Sequence, residues 1–447
     1  MRTRRLLVAN RGEIAARVFR TCARLGIQTV AVATDEDVDA FHTRAADDTV
    51  GIVSYLDPRE IVRAALDAGA DAVHPGYGFL AESADLARAV AGAGLTWVGP
   101  PGEVLARGGD KLEAKRVATA AGIPLLETGD ARAVGLPLMV KAAAGGGGRG
   151  MRIVGELAQL DAAVDAARRE AEAAFGDPTV FCERYLPRPR HVEVQLLADA
   201  GGTVVAVGER DCSVQRRHQK VMEESPAPEL APELRRRIAD HAVAFARELG
   251  YENAGTAEFL VAGNDVFFLE LNGRIQVEHP VTEAVTGLDL VEWQLRIAEG
   301  ERLDGLSVQV TGHAIEARLY AEDPVSFLPR SGVVERLRLP SGIRVDAGIA
   351  EGDTVGTRFD PLVAKLVAHA PTRPEALDRL AAALEETDVR GVVTNLPFLR
   401  WLVAHPAFRA AELSTAFLVE HPPLTPPPLR RGNPAWRRPW RLNLPPP

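Results

Sequence analysis

The chain has 447 residues, of which 46% are hydrophobic and 25% are charged, and its formal net charge is −9 at pH 7. The length allows two to four domains, and the composition is typical of an ordinary globular protein. The negative charge argues against general nucleic-acid binding, the three scattered cysteines argue against disulfides or structural zinc, and no apolar run is long enough to span a bilayer. We therefore expect a cytoplasmic protein without nucleic-acid or membrane partners.

The N-terminal region predicts alternating strands and helices. Apolar runs predict a strand at Leu6–Ala9, an amphipathic helix at Gly12–Leu25 and a second strand at Thr29–Ala33. The pattern recurs around Ala70–His74 and Thr96–Val98. The region is therefore predicted to be a doubly wound parallel-sheet domain. Its first turn lacks the spaced glycines that a dinucleotide requires, which argues against an NAD site.

A glycine-rich segment, Gly145–Gly150, follows Lys141 and begins with four consecutive glycines. Such a run is costly in backbone entropy, so we expect it where side chains would obstruct a ligand. Free amide groups beside a lysine suit a nucleotide phosphate. Strand-like runs lie on both sides, at Leu138–Val140 and Met151–Val154. The segment therefore predicts a hairpin that closes over phosphates, not a P-loop that opens a helix, and the alternative is a flexible linker.

Composition divides the chain after residue 110 into four further units. Residues 111–182 contain the glycine hairpin and a predicted helix at Leu157–Ala174, and they form a compact unit that could move as a lid. Residues 183–310 predict mainly strands, and residues 311–420 predict a further α/β region. Residues 421–447 are rich in proline and arginine and are predicted to be a linker or a cut end.

Two acidic residues are predicted to face each other across a hairpin. Thr256–Leu260 and Val266–Gln276 predict paired strands joined by the three residues Gly263-Asn264-Asp265. In that register Glu258 lies opposite Glu270. Two facing carboxylates repel by up to about 1 kcal/mol unless a cation lies between them.

The second strand of this hairpin places further side chains on the face of Glu270, if the extended conformation persists. With a period of two, these are Phe268, Asn272, Arg274, Gln276 and Glu278. Oxygen ligands from Glu258, Glu270 and Asn272 suit Mg²⁺ or Mn²⁺ that also binds phosphate. The guanidinium and amide just beyond suit a small planar anion. The alternative is an ordinary solvated sheet face.

Two further segments carry polar residues that are predicted to contact the nucleotide. They contain His191, Glu193 and Gln195 on one face of a strand, and Gln215, His218 and Lys220 in a short basic run. A charge run alone would predict solvated surface, but a phosphate loop and a metal pair nearby favour nucleotide contact. Neither histidine has the spacing of a metal ligand. Lys111 could supply a second lysine to the phosphates.

Six motifs, in order along residues 1–420, resemble the biotin carboxylase family. They are Asn10–Ala15 (NRGEIA), His74–Leu80 (HPGYGFL), Gly145–Gly150 (GGGGRG), Arg216–Lys220 (RRHQK), Gln276–Glu283 (QVEHPVTE) and Ala321–Pro324 (AEDP). The resemblance implies an α/β chain with the ATP-grasp fold. It implies an N-terminal Rossmann-like domain at 1–110, a mobile glycine-loop lid at 111–182, a central catalytic domain at 183–310 and a C-terminal α/β domain at 311–420.

The resemblance also implies the reaction. ATP, bicarbonate and biotin on a carrier protein give carboxybiotin, ADP and phosphate through carboxyphosphate, with two Mg²⁺ or Mn²⁺ ions. The implied partners are a biotin carboxyl carrier protein or domain, a carboxyltransferase subunit and a second copy of the chain in a homodimer.

The resemblance assigns roles to residues of this chain. The implied ATP contacts are Lys111, Lys141, Gly147, Gly148, Glu183, Leu186, His191, Gln215 and His218, with Glu183 and Leu186 meeting the adenine through backbone groups. The implied metal ligands are Glu258, Glu270 and Asn272. The implied bicarbonate site is Lys220, Arg274, Gln276 and Val277, with Glu278 as general base and Arg318 beside biotin. Of these, Glu278, Arg318, Lys220 and Arg274 are the implied catalytic residues.

The chain departs from the family pattern in loops. Gly273 stands where Thr or Pro is usual, Ala144 replaces the first glycine of a longer run, and stretches near Val53-Ser54 and Glu127–Gly135 are short. These departures concern loop geometry.

Two other functions stay open from the sequence: another ATP-grasp ligase, acting on a purine intermediate or a urea-type substrate, and a catalytically idle scaffold. The chain contains no biotin-attachment motif, so the carrier must lie elsewhere. Trp440–Asn443 and Tyr320–Pro324 resemble long acyl-CoA carboxylase α chains, which predicts a component of such an enzyme, with a truncated component as the alternative. The acyl-CoA is not specified.

Overall fold

The computed structural model describes residues 2–143, 151–216, 219–425 and 441–442. The predicted phosphate contacts Gly147 and Gly148, together with His218, lie outside the described residues. Most of the predicted tail, residues 426–440 and 443–447, also lies outside them.

The N-terminal region forms a parallel sheet flanked by helices. Its strands are β1 (Arg5–Val8), β2 (Gln28–Ala33), β3 (Asp48–Gly51), β4 (Ala72–His74) and β5 (Thr96–Trp97). Its helices are α1 (Gly12–Leu25), α2 (Phe41–Arg44), α3 (Pro58–Asp67), α4 (Ala84–Gly92) and α5 (Gly102–Gly109). Among the described residues the strand order is β3-β2-β1-β4-β5, with every pairing parallel. The predicted doubly wound sheet is confirmed.

The first helix shows how the sequence sets the bounds of an element. Its last turn is closed by Gly26 at φ 71°, in the left-handed region that a residue with a Cβ adopts only with strain. The amide of Ile27 then donates to the carbonyl oxygen of Cys22 at 2.9 Å, which satisfies a carbonyl at the helix end. The buried face, including Ile14 and Val18, packs into the core beneath the sheet.

The lid region is a small α/β unit with its own core. Its elements are α6 (Lys111–Ala120), β6 (Thr128–Gly129), α7 (Ala131–Val134), β7 (Leu138–Ala142), β8 (Arg152–Val154), a 3₁₀ turn (Leu157–Gln159), α8 (Leu160–Phe175) and β9 (Val180–Arg184). Strands β7 and β8 pair antiparallel on either side of the glycine segment. The predicted hairpin arms are therefore confirmed, and the helix predicted from Leu157 begins as a 3₁₀ turn.

The remaining elements build the largest sheet. Its central part contains β10 (Arg190–Ala198), β11 (Val204–Arg216), β12 (Gln219–Ser225), α9 (Pro232–Leu249), β13 (Asn253–Ala262), β14 (Asp265–Asn272), α10 (His279–Thr286) and α11 (Leu290–Ala298). The C-terminal strands are β15 (His313–Tyr320), β16 (Gly332–Val333), β17 (Arg336–Arg338), β18 (Arg344–Ala347), β19 (Thr354–Val355), β20 (Leu362–Ala370), β21 (Asp388–Arg390), β22 (Leu424–Thr425) and β23 (Arg441–Leu442). The C-terminal helices are α12 (Arg373–Glu386), α13 (Leu396–Ala404), α14 (Pro406–Arg409) and α15 (Phe417–Glu420).

One continuous antiparallel sheet joins the central and C-terminal regions. In the part of the chain that is described, its order is β14-β13-β10-β11-β12-β15-β20-β18. Strand β12 pairs directly with β15, so the sheet crosses the predicted boundary at residue 310 without interruption. Residues far apart in sequence can therefore meet on one face of this sheet. The domain boundaries themselves stay a prediction.

A bulge interrupts the hairpin of β13 and β14. Glu258 pairs with Glu270 as predicted, but Phe259 pairs with Phe268, so Leu269 is the extra residue. The bulge shifts the alternation, and Phe268 packs into the core with Phe259 instead of sharing the face of Glu270. The prediction for Phe268 was wrong because strict alternation assumes an uninterrupted ladder.

Two smaller predictions for this hairpin were also wrong. Ala262 pairs with Asp265, so the turn has two residues, and Gly263 takes the positive φ of 60° that the turn requires. Strand β14 ends at Asn272, so the extended conformation does not persist to Gln276.

Among the described residues, no helix combines the length and hydrophobicity needed to traverse a lipid bilayer.

Candidate functional site

The candidate site lies on one face of the large sheet, where polar side chains are buried together. Glu258 on β13 contacts four of these side chains. Its Oε1 accepts hydrogen bonds from Lys220 at 2.8 Å, Asn272 at 2.8 Å and Gln276 at 2.7 Å. Its Oε2 lies 2.7 Å from Nε2 of His191. Burial would raise the pKa of Glu258, but Lys220 and His191 outweigh burial and hold it well below the ordinary value.

Glu270 lies directly opposite Glu258 and differs from it in every contact. Among the described residues, no hydrogen bond or ion pair reaches the carboxylate of Glu270. Burial, followed by the negative charge of Glu258, raises its pKa above the ordinary value of 4.5. The ammonium of Lys111 offsets only part of this rise and makes no direct contact with Glu270, so the pair fits a divalent cation.

Asn272, the third predicted metal ligand, is turned toward other partners. Its Nδ2 donates to Glu258, and its Oδ1 accepts a hydrogen bond from Nη2 of Arg274 at 2.8 Å. Arg274 also donates from Nε to Oε2 of Glu82 at 3.0 Å. The neighbouring Gly273 donates its amide to Glu82 at 2.9 Å, and a Cβ at this position would lie 2.7 Å from Leu105 Cδ2. Leu105 Cδ2 is the end of a flexible side chain that can shift, so this contact alone does not explain the glycine that departs from the family pattern.

Lys220 on β12 links three carboxylates. Its Nζ donates to Glu193, to Glu258 at 2.8 Å and to Glu278 at 2.6 Å. Burial would lower the pKa of Lys220, but the three glutamates raise it well above the ordinary value. His191, Glu193 and Glu258 bring their ligand atoms close enough together to hold a metal ion. The ammonium of Lys220 accounts for the close approach of the two glutamates without an ion. Because Lys220 already neutralises two of them, we do not assign an ion to that group.

Glu278 lies between two cations. Its Oε1 accepts from Lys220, and its Oε2 accepts from Nη2 of Arg318 at 3.0 Å. Burial would raise the pKa of Glu278, but Lys220, Arg318 and Arg210 outweigh burial and lower it far below the ordinary value. Glu278 is therefore ionised at neutral pH, as a group that accepts a proton must be.

Arg318 on β15 is a buried guanidinium with two acidic partners. It contacts Glu278 and the carboxylate of Glu223, and Nη1 lies 3.4 Å from the hydroxyl of Tyr320. Its pKa is raised well above the ordinary value because Glu223, Tyr320 and Glu278 outweigh the effect of burial. Arg318 therefore stays charged beside Glu278.

The lid side of the site contains the predicted phosphate lysines. Nζ of Lys141 contacts the carboxylate of Glu183, and so does Nζ of Lys115. Nζ of Lys111 donates to the carbonyl oxygen of Ala142 at 3.3 Å. Burial lowers the pKa of Lys111, while Glu270 and Glu183 counter part of that effect. The lysines therefore lie at the end of β7, where the glycine segment begins.

Three other side chains that were predicted to contact the nucleotide are Gln215, His191 and Leu186. Nε2 of Gln215 lies 2.6 Å from Nδ1 of His191 and donates to the carbonyl oxygen of Cys212 at 2.9 Å. Gln215 therefore fixes the ring that faces Glu258. Leu186 follows β9 and is half-buried, and none of the site contacts described above involves its side chain.

The sequence did not predict several residues that hold the site together. Arg210 on β11 is 0% exposed and donates to Gln195 at 2.9 Å, Thr282 at 2.8 Å and Gln276 at 2.8 Å, besides contacting Glu193. The position of this charged residue inside a long strand could have indicated that Arg210 has a structural role. No sequence pattern distinguishes Glu82, Lys115 and Glu223 from charged residues at the surface.

Comparisons with known proteins agree with this geometry. Residues 2–105 match the family model "Biotin carboxylase, N-terminal domain", residues 116–306 match "Carbamoyl-phosphate synthase L chain, ATP binding domain", and residues 316–420 match "Biotin carboxylase C-terminal domain". The chain is 46% identical over 441 residues to a biotin carboxylase of Halalkalibacterium halodurans, covering 94% of this chain and 98% of the relative.

Two further relatives are a longer chain and a solved structure. The chain is 46% identical to the mitochondrial methylcrotonoyl-CoA carboxylase subunit alpha of Arabidopsis thaliana, covering 93% of this chain but 60% of the relative. It superposes with a TM-score of 0.92 and 42% identity on the biotin carboxylase domain dimer of the Hydrogenobacter thermophilus 2-oxoglutarate carboxylase, which was solved with MgADP, ADP and bicarbonate. That match covers 94% of this chain and 98% of the solved chain.

These matches confirm the ATP-grasp arrangement that the motifs implied. Since nearly all of this chain matches nearly all of a biotin carboxylase, the chain belongs to the biotin carboxylase family, ATP-dependent ligases that carboxylate biotin with bicarbonate.

Proposed function

We propose that the buried cluster around Glu278 is the centre where bicarbonate is activated and biotin is carboxylated. The observation that carries the proposal is that Lys220 and Arg318 each donate to a different oxygen of Glu278. Glu278 therefore lies between Lys220, whose ammonium can bind the bicarbonate anion, and Arg318, whose guanidinium can stabilise the enolate that develops on biotin. No other described cluster combines these groups beside a carboxylate pair that fits a metal ion.

ATP would be held between the sheet and the lid. Lys111 and Lys141 supply ammonium groups for the phosphates, and His191 and Gln215 line the sheet side. Lys141 is paired with Glu183 in this structure, so it must exchange that carboxylate for a phosphate when nucleotide binds. Gly147, Gly148 and His218 are proposed to complete the contacts, with backbone groups of Glu183 and Leu186 meeting the adenine.

Glu258, Glu270 and Asn272 would hold Mg²⁺ or Mn²⁺. When bound, the ions supply positive charge to the phosphates of ATP. The unpartnered carboxylate of Glu270 supports this assignment most directly. Asn272 would have to give up its present hydrogen bond to Arg274 in order to offer its oxygen.

Bicarbonate would bind beside Glu278, held by Lys220, Arg274, Gln276 and the backbone at Val277. The anion takes up part of the charge of Lys220, so the pKa of Glu278 rises when the site fills. The bicarbonate O–H proton then passes to Glu278. The freed oxygen attacks the γ-phosphorus of ATP, the bond to the ADP oxygen breaks, and carboxyphosphate forms.

Arg318 would act on biotin in the second step. Carboxyphosphate breaks into CO₂ and phosphate in a site that the lid keeps from water. Biotin loses its ureido N–H proton to the released phosphate, and the nitrogen attacks CO₂. The guanidinium of Arg318 stabilises the negative charge on the ureido oxygen. Once Glu278 is protonated, one of the two acidic partners of Arg318 is neutral, which frees the cation for this task.

The partners follow from the chemistry of the relatives. Methylcrotonoyl-CoA carboxylase subunit alpha is a subunit of a larger enzyme, and this chain spans 60% of it. The chain would therefore act on biotin held by a carrier protein or domain and pass carboxybiotin to a carboxyltransferase that carboxylates an acyl-CoA. The solved relative is a dimer, which supports a homodimer here. We place this activity in the cytoplasm.

One assay separates this function from its alternatives. ATP hydrolysis by the full chain is measured with and without bicarbonate, and then with free biotin. We expect hydrolysis to require bicarbonate and to increase with biotin. Hydrolysis that requires bicarbonate but ignores biotin would favour a different ATP-grasp ligase, and no hydrolysis in the complete mixture would favour an inactive scaffold.

A further inference from the structure

Lys365 on β20 is a buried lysine that reaches the candidate bicarbonate segment. Its side chain is 0% exposed, and its Nζ donates to the carbonyl oxygen of Val277 at 2.8 Å. The two residues are 88 positions apart in the chain. A lysine is rarely buried completely unless its charge is paired. The position of this ammonium therefore requires an explanation.

The charge of Lys365 is balanced by two acidic residues. Nζ lies 3.1 Å from Oε1 of Glu13 and 4.0 Å from Oδ2 of Asp346. Asp346 has other cations, since Arg344 donates to it at 2.9 Å. Among the described residues, Glu13 has no other cationic partner, although the hydroxyl of Tyr77 donates to it. Glu13 is therefore the principal counter-ion of Lys365.

Two sequence motifs without a catalytic role build this pair. Glu13 lies in Asn10–Ala15, and Tyr77 lies in His74–Leu80. Asn10 joins the two motifs, because its Nδ2 donates to the carbonyl oxygens of Pro75 at 2.8 Å and Tyr77 at 2.7 Å. The ring of Tyr77 also lies 5.9 Å from Nζ of Lys365. The N-terminal region thus contacts Lys365 through Glu13 and Tyr77, while the ammonium also donates to Val277.

The bond to Val277 orients the segment that carries the base. The carbonyl of Gln276 is satisfied locally, by the amide of His279 at 3.2 Å and its Nδ1 at 2.8 Å. The carbonyl of Val277 is satisfied by a remote side chain instead. Because a peptide group is planar, fixing that carbonyl also fixes the plane that contains the amide and Cα of Glu278.

We propose that Lys365 is a positioning residue for bicarbonate activation, which holds the Val277–Glu278 peptide in the orientation that binds bicarbonate. The inference rests on the proposed role of this segment in bicarbonate binding. Lys365 does not touch the substrate. Its role is distinct from that of Lys220, which contacts Glu278 directly.

The competing explanation is that Lys365 only neutralises Glu13 in the core. Three variants of the full chain separate the two: Lys365→Met, Glu13→Gln, and the double variant Glu13→Gln/Lys365→Met. The double variant removes both charges, so it leaves no carboxylate buried without a partner. The surface variant Glu248→Gln is the control. The readouts are the KM for bicarbonate, the KM for ATP and the cooperativity of thermal unfolding.

We expect the double variant to fold and to show a KM for bicarbonate raised by about tenfold, as for one lost hydrogen bond from a charged donor, with the KM for ATP within about twofold of the wild type. Lys365→Met should show the same shift if it folds. Glu13→Gln, which keeps the bond to Val277, should stay within about twofold for both substrates.

Three results would overturn the inference. A double variant with the wild-type KM for bicarbonate would mean that Lys365 only neutralises Glu13. An equal rise in both KM values, or a double variant that fails to fold, would mean that Lys365 supports the whole structure. The proposed function fails separately, if the wild-type chain itself shows no bicarbonate-dependent ATP hydrolysis.

Discussion

Glu258 and Glu270 occupy directly opposed positions on neighbouring antiparallel strands, yet among the described residues only Glu258 has a direct cationic contact. Lys220 and His191 neutralise Glu258, whereas no described cation contacts Glu270. An arrangement of this kind opposes folding unless an ion supplies the missing charge. If the two glutamates hold the ion as proposed, metal binding and stability are directly linked.

The first prediction concerns Glu270→Gln. The pKa of Glu270 is raised in the folded state, so its ionisation opposes folding at any pH above the ordinary value of 4.5. Without metal, the variant should be more stable at pH 7 by about 1 kcal/mol, and this gain should vanish below pH 4.5. Denaturant titrations at both pH values measure it.

With MgADP present, the wild type should become the more stable protein, because on the proposed assignment the variant has lost a metal ligand. The wild type should gain thermal stability from MgADP, and Glu270→Gln should gain little. The surface variant Glu248→Gln should behave as the wild type throughout. Equal stabilisation of Glu270→Gln and wild type by MgADP would remove Glu270 from the metal site.

The second prediction concerns Arg210→Met. Arg210 is 0% exposed and holds Glu193, Gln195 and Gln276 together. Its loss leaves Glu193 with Lys220 as its remaining cation, and breaking a buried ion pair costs about 3–5 kcal/mol. The matched control is Arg296→Met, whose side chain is 38% exposed and paired at the surface, and which should cost less than about 1 kcal/mol. Similar losses for the two variants would contradict the account.

The sequence predicted the local parts of the fold well. The bounds of α1 follow from its apolar spacing and from the glycine that closes it. The arms of the glycine hairpin follow from apolar runs. Glu258 and Glu270 face each other as predicted, but only because the bulge at Leu269 compensates for a turn one residue shorter than expected. The helix and the hairpin arms depend on neighbours in sequence, so periodicity was sufficient for them.

The features that could not be predicted from the sequence depend on contacts between strands that lie far apart in the chain. The bulge at Leu269 moved Phe268 into the core, and no residue type announced it. Arg210, Glu223 and Lys365 are charged residues that periodicity would place on a surface. Their burial follows from the pairing of β10, β11, β12, β15 and β20 in one sheet. Polar residues of these strands satisfy one another only after the sheet has formed.

The third prediction concerns acid stability through His74. Burial lowers its pKa to about 4, although Gln294 counters part of that effect. The unfolded chain binds this proton near pH 6.5 and the folded chain does not, so stability falls as the pH drops from 6.5 to about 4. His74→Gln should reduce the slope of unfolding free energy in this window by about 1.4 kcal/mol per pH unit.

Denaturant titrations at several pH values, above and below 6.5, check this prediction. The comparison is made between slopes, so any constant loss of stability from the substitution cancels. Identical slopes for wild type and His74→Gln across the window would show that His74 takes up its proton in the folded state.

The variant Glu278→Gln tests the central claim, that Glu278 takes the bicarbonate proton. Glutamine keeps the size of the side chain but cannot accept the proton. Bicarbonate-dependent ATP hydrolysis should fall by at least about a hundredfold, the usual contribution of a general base, while MgATP binds with wild-type affinity. Bicarbonate-dependent hydrolysis by Glu278→Gln at the wild-type rate would contradict the claim.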